Sequence, residues 1–287
     1  MDIKDFKPKP LNQQVIVITG ATSGIGLATA EMAAKRGAKV VLSSRNEEAL
    51  HEVCQRLGEA GCAVVGVRAD VKNMTDLRQV RVAAESAFGG IDTWINNAGG
   101  SIYGPLLEIP EEEERELFER AIPLQGMYSA SKHAVKAYTD ALCMELEHDN
   151  VPIEVCLVRP TAIDTSFPDH AVNHLKNGEP SLPNPVYHPD YAAAAILKCA
   201  EDPERDVWVG APSKARAIME FLMPGLADKI ALKTAYKKQS QGTNLPHDPA
   251  HEGLFHAPDF EGELRGHYKG KVKETRQMQE PHLTDKR

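Results

Sequence analysis

VIVITGATSGIGLATAEMAAKR, residues 15–36, decides how the rest of the chain is read. A short apolar run, VIVIT at 15–19, passes through the glycine-rich turn TGATSGIG at 19–26. An alanine-rich stretch of helical character, LATAEMAAKR at 27–36, follows. Glycines at 20, 24 and 26 permit a tight turn and a close backbone approach. The N–H groups that open the helix then point outward, where a pyrophosphate would sit. The spacing G-x-x-x-G-x-G differs from the more familiar G-x-G-x-x-G. A plain strand-to-helix turn with incidental glycines is the bland alternative, and the strand before and helix after weigh against it.

Outward from this turn the same alternation repeats. Apolar runs at 39–43, 63–67 and 91–96 are separated by helical patterns at 47–60 and 76–88. In the first of these, Leu50, Val53, Cys54 and Leu57 fall at i, i+3, i+4 and i+7. Short apolar strands separated by helices of about a dozen residues imply βαβ units and a parallel sheet covered on both faces. Beyond residue 100 the alternation fails. A charged helix is expected at 110–118, a long one from 128 to about 148, a strand at 153–158, a helix at 190–200 and a strand at 207–209. No apolar strand separates the two helices. Residues 1–242 read as one α/β domain, and 243–287 as a polar tail, partly disordered or draped over it.

Composition narrows the function classes. Apolar residues make up 42 % and charged residues 26 % of the 287, as in an ordinary globular protein. A net charge of −8 argues against a nucleic-acid partner. No run of about 20 apolar residues exists to span a membrane. MDIKDFKPKPLNQQ lacks the apolar centre of a signal peptide, so a cytoplasmic setting is expected. The five cysteines form no C-x-x-C and read as small apolar residues. His247, His251, His256 and His267 lack compact ligand spacing, so no metal site is expected. With the basic pair Lys237–Lys238, the tail histidines leave an interaction module as a further reading.

The second expected strand ends in VLSSR, 41–45. An acidic residue about twenty positions past the glycine turn would hold the adenosine ribose and favour NAD. Here Ser44 and Arg45 stand instead. A small residue followed by arginine leaves room for a 2′-phosphate and a cation to hold it, which favours NADP(H) over NAD. A solvent-facing arginine is the alternative. Asp70 either accepts from the adenine amino group or caps the next helix.

With TGATSGIG, NNAG at 96–99 and YSASK at 128–132 in that order, the chain resembles the short-chain dehydrogenase/reductase family over roughly residues 13–210. The resemblance implies a Rossmann-like doubly wound parallel sheet and hydride transfer between a nicotinamide and an alcohol or carbonyl. It places Gly20, Thr22, Ser23, Gly24, Ile25 and Gly26 at the cofactor, with Ser44, Arg45, Asp70, Val71, Asn97, Ala98 and Gly99. Lys132, Pro160, Ile163 and Thr165 complete the set, the last two meeting the nicotinamide carboxamide. Thr161 stands where many members carry glycine. Tyr128 would be the general acid and base, with Lys132 beside it. The residues support this pairing independently, because i and i+4 share a helix face; the bland alternative is two ordinary residues on an amphipathic helix whose core face is Val135, Tyr138, Leu142 and Leu146. A lysine cation about 4 Å away, at an effective dielectric of about 20, is worth about 4 kcal/mol. That is the bias a phenol of pKa about 10 needs to ionise at pH 7.

One unit of the family pattern is missing. Between NNAG and Y-x-x-x-K members carry a helix bearing an asparagine, then a strand ending in the catalytic serine. Arg115, Glu116 and Leu117 occupy the serine's distance from Tyr128. The shortfall is about 30 residues, one helix–strand unit. Strands flanking the gap would stand about 10 Å apart, since neighbours are spaced about 4.8 Å. Either backbone groups stay unpaired there or the sixth strand slides into the slot. A cofactor-binding but catalytically impaired deletion form or isoform is therefore the alternative to a working oxidoreductase. Ser101 is a makeshift donor of little promise. The loop from Ser166 to Tyr187 would close over the substrate, and its Phe167, Val172, Leu175 and Leu182 favour a lipophilic alcohol or ketone. Family members are often oligomers through the two helices at this seam, so a homo-oligomer is an expectation too.

Overall fold

The computed structural model describes residues 7–103, 125–175, 180, 182–210, 218–219, 222–233, 253–254, 257 and 262–274. VIVIT forms β1 (Val15–Thr19), buried at every position, as a strand covered on both faces must be. It is followed by α1 (Gly24–Lys35), β2 (Lys39–Ser44), α2 (Glu47–Glu59), β3 (Val64–Arg68), α3 (Met74–Phe88) and β4 (Thr93–Ile95). The four strands pair in parallel in the order β3–β2–β1–β4, with Ile18 between Leu42 and Ile95. Strand pleating sends alternate β1 side chains to opposite faces. Ile16 and Ile18 join Leu27 of α1 and Leu50, Val53 and Leu57 of α2 in one core. Val15 and Val17 meet Val80 and Ala84 of α3 in the other. The fold is the expected Rossmann-like α/β arrangement.

Helix starts follow local chemistry. Asn46 accepts from the Ala49 N–H at the head of α2, and Asn73 accepts from the Thr75 N–H at the head of α3. Inside the first core, Glu31 is 1 % exposed and accepts from Arg56 Nη2 at 3.1 Å. A buried carboxylate needs such a partner, since leaving it unpaired would be strongly destabilising.

The second half holds β5 (Ile102–Tyr103), α4 (Gly126–His148), β6 (Leu157–Pro160), β7 (Val172–Asn173), β8 (Val186–Tyr187), α5 (Pro189–Glu201), β9 (Asp206–Val209), α6 (Pro224–Ala231) and β10 (Val272–Lys273). Among the described residues no strand pairs with the outer edge of β4. The sixth strand has not slid into the slot: β6 pairs in parallel with β9, apart from the four-stranded sheet. Leu157, Val158 and Arg159 are only half-buried, as befits a strand without a neighbour on one side.

What ties this pair to the sheet is α5, which lays Ala193, Leu197 and Ala200 into the core shared with α1. Gln14, at the foot of β1, reinforces the join. Its Nε2 donates to the carbonyls of Lys9 and Ala200, and its Oε1 accepts from Thr93 Oγ1.

Two expectations are corrected. The strand expected at 153–158 forms four residues later, because its pairing with β9 begins at Leu157, while Ile153 is exposed. Val135 and Tyr138 of α4, expected in the core, are exposed, and Leu142 and Leu146 are half-buried. Among the described residues no strand continues the sheet past β4, so that helix face has no sheet to cover. Short strands β5, β7, β8 and β10 carry no periodicity long enough to have been read. The charged helix expected at 110–118 lies outside the described residues. Among the described residues no helix is long and apolar enough to cross a membrane.

Leu27 is fully buried in the first core, whereas Tyr138 is 71 % exposed. Leu27→Ala should therefore cost about 2–5 kcal/mol in a urea unfolding experiment. Tyr138→Ser should change stability by no more than about 0.5 kcal/mol. A large loss at Tyr138 would mean that α4 packs its apolar face after all.

Candidate functional site

The β1–α1 turn is held shut by one side chain. Asn97, just past β4, donates from Nδ2 to the carbonyls of Thr19 and Gly20, at 3.1 and 2.9 Å. Thr19 Oγ1 in turn accepts from the N–H groups of Asn97 and Ala98. The chain here is so close that a Cβ on Gly26 would stand 2.0 Å from the Gly20 carbonyl oxygen, and one on Gly20 would stand 2.9 Å from Ala98 Cα. Gly20 also has a φ of +63°, where a side chain is strained. The turn is a cradle that only glycine fits. Thr22 and Gly24 are buried, Ser23 and Ile25 half-buried, and Ser23 stands at the N-cap of α1 without using its side chain as a cap.

Beside the turn, Thr22 Oγ1 donates to Ser44 Oγ at 2.9 Å, tying the end of β2 to it. Arg45, half-buried beyond it, donates from Nη2 to the Gly253 carbonyl at 2.5 Å. Asp70 does not cap α3, a place taken by Asn73. Its carboxylate accepts from the Lys72 N–H, leaving it beside Val71, which is 40 % exposed.

Tyr128 lies in the first turn of α4. Its ring packs on Phe167, with centroids 5.4 Å apart, and Lys132 Nζ stands 5.2 Å from the ring centroid. The same ammonium lies 3.6 Å from where a Cβ of Gly99 would be. The helix therefore brings Tyr128 and Lys132 to NNAGG despite the shortened sequence. Burial pushes the Tyr128 phenol up to about 12. Burial around the ammonium also lowers the Lys132 pKa, although the residue as a whole is exposed. Bringing a phenol at about 12 to ionisation at pH 7 needs roughly 7 kcal/mol. A cation about 5 Å away at an effective dielectric of about 20 supplies about 3 kcal/mol. The arrangement favours a phenol that keeps its proton until a stronger base takes it.

The segment after β6 completes the site. Pro160 is exposed, while Ile163 is buried and bridges to Tyr187. Thr165 is buried, with its Cγ2 2.9 Å from the Cβ position of Gly24. Phe167 is half-buried, Val172 buried, Leu175 and Leu182 half-buried, so the loop offers an apolar flank next to Tyr128. Ser101 is 1 % exposed, and its Oγ has no hydrogen-bond partner among the described residues. Its carbonyl accepts from Val172 N, where β5 pairs with β7.

Residues that sequence reasoning did not assign to the site also line this place. Lys72 Nζ donates to the Leu254 carbonyl, and the Gly24 N–H donates to the Glu263 carbonyl at 3.0 Å. Arg265 Nε donates to Asp164 Oδ2 at 2.7 Å, and His267 Nδ1 lies 3.0 Å from Asp169 Oδ2. Two of these four contacts use single backbone atoms of the tail, which leave no mark in a sequence. No cluster of three metal-ligating side chains occurs among the described residues. Lys237, Lys238, His247, His251 and His256 lie outside them.

Comparison with known proteins gives one consistent result. The profile of the adh_short family, short chain dehydrogenase, matches residues 14–123 and 119–175. The match stops and restarts at 119–123, the seam expected from the sequence. The chain is 36 % identical over 300 residues to the uncharacterized oxidoreductase YxnA of Bacillus subtilis, covering 92 % of this chain and 84 % of that protein. Since 92 % of 287 residues is about 264, about 36 positions of that relative have no counterpart here.

Two solved structures share the fold. A short chain dehydrogenase/reductase from Burkholderia phymatum in complex with NAD has a TM-score of 0.62 at 23 % identity, over 77 % of this chain and 95 % of that one. L-sorbose reductase from Gluconobacter frateurii, complexed with NADPH and L-sorbose, has a TM-score of 0.53 at 23 % identity, over 68 % and 94 %.

His267 gives the site a pH signature. Its hydrogen bond to Asp169 raises its pKa above the ordinary 6.5, burial opposes this, and the charges of Asp169, Glu263 and Asp164 reinforce it. A raised histidine pKa stabilises the folded arrangement fully below the unfolded value and ceases to do so as pH rises through the folded one. A histidine NMR titration should show one resonance, absent in His267→Gln, with its midpoint above 6.5. A midpoint at or below 6.5 would contradict the pairing.

Proposed function

The chain belongs to the short-chain dehydrogenase family, and on that footing we propose that it is an NADP(H)-dependent oxidoreductase with Tyr128 as its general acid and base. The observation that carries this reading is the meeting of two sequence-distant features. Lys132, one turn beyond Tyr128, lies against Gly99, while Asn97 of the same NNAGG segment clamps the glycine turn. The residues fit a nicotinamide dinucleotide. The turn is a cradle with no room for a Cβ, and the first N–H groups of α1 lie beside it.

Gly20, Thr22, Ser23, Gly24, Ile25 and Gly26 would hold the pyrophosphate, with Ser44, Arg45, Asp70, Val71, Asn97, Ala98 and Gly99 about the adenosine. Lys132, Pro160, Ile163 and Thr165 would hold the nicotinamide half. Bound there, the dinucleotide supplies or accepts the hydride.

The chain's own part is proton transfer and orientation. In the reductive direction the Tyr128 hydroxyl donates its proton to the substrate oxygen as it gains alkoxide character. An alkoxide is a stronger base than a phenolate, so a phenol at about 12 gives up its proton readily. In oxidation the same group must first lose its proton, and Lys132 with a cationic nicotinamide would lower that cost. Phe167 and the apolar loop exclude water from this exchange and favour a lipophilic alcohol or ketone. Arg45 and the absence of an acidic residue at the end of β2 favour NADP over NAD. The domain boundary near 242, a homo-oligomeric state and a cytoplasmic setting belong to the same reading.

A second reading rests on the open edge of β4. Without the helix–strand unit, the serine that would polarise the substrate carbonyl is lost, worth about 10²–10³ in rate. The protein is then a cofactor-binding, catalytically impaired form.

Turnover of NADPH with a panel of apolar ketones separates the two. Under the first reading Tyr128→Phe should lower kcat by about 10²–10⁴ while leaving cofactor affinity within about twofold. Arg45→Ala should weaken NADP⁺ about tenfold or more and NAD⁺ little. Turnover that survives Tyr128→Phe contradicts the role given to this tyrosine. Tight NADP⁺ binding with no turnover by the unaltered chain selects the second reading.

A further inference from the structure

We infer that residues 253–254 and 262–268 are an intramolecular occupant of the dinucleotide groove, so that cofactor enters only as this segment leaves; the inference rests on the cofactor reading above. The segment touches the groove at each of its three stations. At the adenosine end, Arg45 Nη2 and Lys72 Nζ donate to the carbonyls of Gly253 and Leu254, and the Gly253 N–H donates to the His170 carbonyl. Leu254 is buried with Ile102 and Val172, 3.7 Å from the Cβ position of Gly100. In the middle, the Gly24 N–H at the head of α1 donates to the Glu263 carbonyl. At the nicotinamide end, Gly266 lies so close to Thr165 that a Cβ on it would stand 2.2 Å from the Thr165 carbonyl oxygen.

The chemistry is substitution by like groups. Peptide carbonyl oxygens sit on a guanidinium, an ammonium and a helix-opening N–H, the donors that phosphate oxygens would use. A strap lying over a bound dinucleotide would leave space beneath it. Here the hydrogen bond at Gly24 and the contact at Gly266 are direct, so the two occupants exclude one another. The segment is anchored outside the groove as well, through Arg265 on Asp164, His267 on Asp169, and β10 paired with β8. Asp164 is fully buried, and among the described residues only its Oδ2 is paired. Those anchors let the segment return after displacement.

The test uses the full chain carrying Gly266→Ala, whose added methyl has no room against Thr165. His267→Gln, at a position whose side chain is 63 % exposed, serves as a second variant that leaves the core untouched. Two quantities are read: hydrogen exchange at the Gly24 amide without cofactor, and the Kd for NADP⁺. An occupant that leaves the groove open a tenth of the time weakens apparent affinity about tenfold. Gly266→Ala should therefore speed exchange at Gly24 and tighten NADP⁺ by up to about tenfold, with His267→Gln shifting both the same way by less.

Unchanged exchange at Gly24 in both variants overturns the inference. So does faster exchange with unchanged or weaker NADP⁺ binding, which would make the segment part of the cofactor site. Faster exchange with no nucleotide bound by any of the proteins supports the segment's seat in the groove. That outcome overturns the cofactor reading instead.

Discussion

Asn97 donating to the carbonyls of Thr19 and Gly20 is the contact on which the rest depends. It ties the exit of β4 to the exit of β1, so that the sheet's C-terminal edge presents one surface. Without a side chain at Gly26 the turn closes and α1 starts at the right height. Without the NNAGG segment held there, Lys132 would have nothing to lie against. A single amide side chain thereby couples the glycine turn, the central strands and the Tyr128 helix.

The missing helix–strand unit shows how unevenly such a fold tolerates loss. β1 to β4 form their sheet and most of both cores from residues before 104, with α5 adding Ala193, Leu197 and Ala200 to the first. The cost falls on the second half of the chain. Among the described residues β6 pairs with β9 alone, α4 exposes Val135 and Tyr138, and the link back to the sheet runs through α5 and its contact with α1. Tyr128 nonetheless stays beside Gly99 through Lys132, because a helix carries i and i+4 together wherever it is placed. What the family resemblance places on one helix face is still brought together here; what it places on a separate strand, a serine, has no counterpart in residues 104–127.

Legibility in the sequence followed the range of the physical signal. VIVIT, the α2 pattern of Leu50, Val53 and Leu57, and the parallel arrangement were readable because period and context act over neighbouring residues. The seam before Tyr128 was readable as missing length. The position of β6 was misjudged because strand pairing, not local hydrophobicity, sets its ends. The exposed face of α4 was misjudged because amphipathicity shows which face seeks cover, not whether cover exists. The tail contacts were illegible for a different reason. Glu263 and Gly253 act through backbone carbonyls, which every residue has, and Gly266 acts through lacking a side chain.

The most direct measurement is a set of thermal melts of the full chain alone, with NADP⁺ and with NAD⁺. A ligand at about 100 times its Kd stabilises the native state by about 2.7 kcal/mol. One cooperative transition, raised mainly by NADP⁺, is the expected result. It would mean that the four-stranded sheet and its glycine turn form a working dinucleotide site despite the open edge of β4. A broad transition indifferent to both nucleotides would contradict this, leaving the turn and the Tyr–Lys pair as inherited geometry without a ligand.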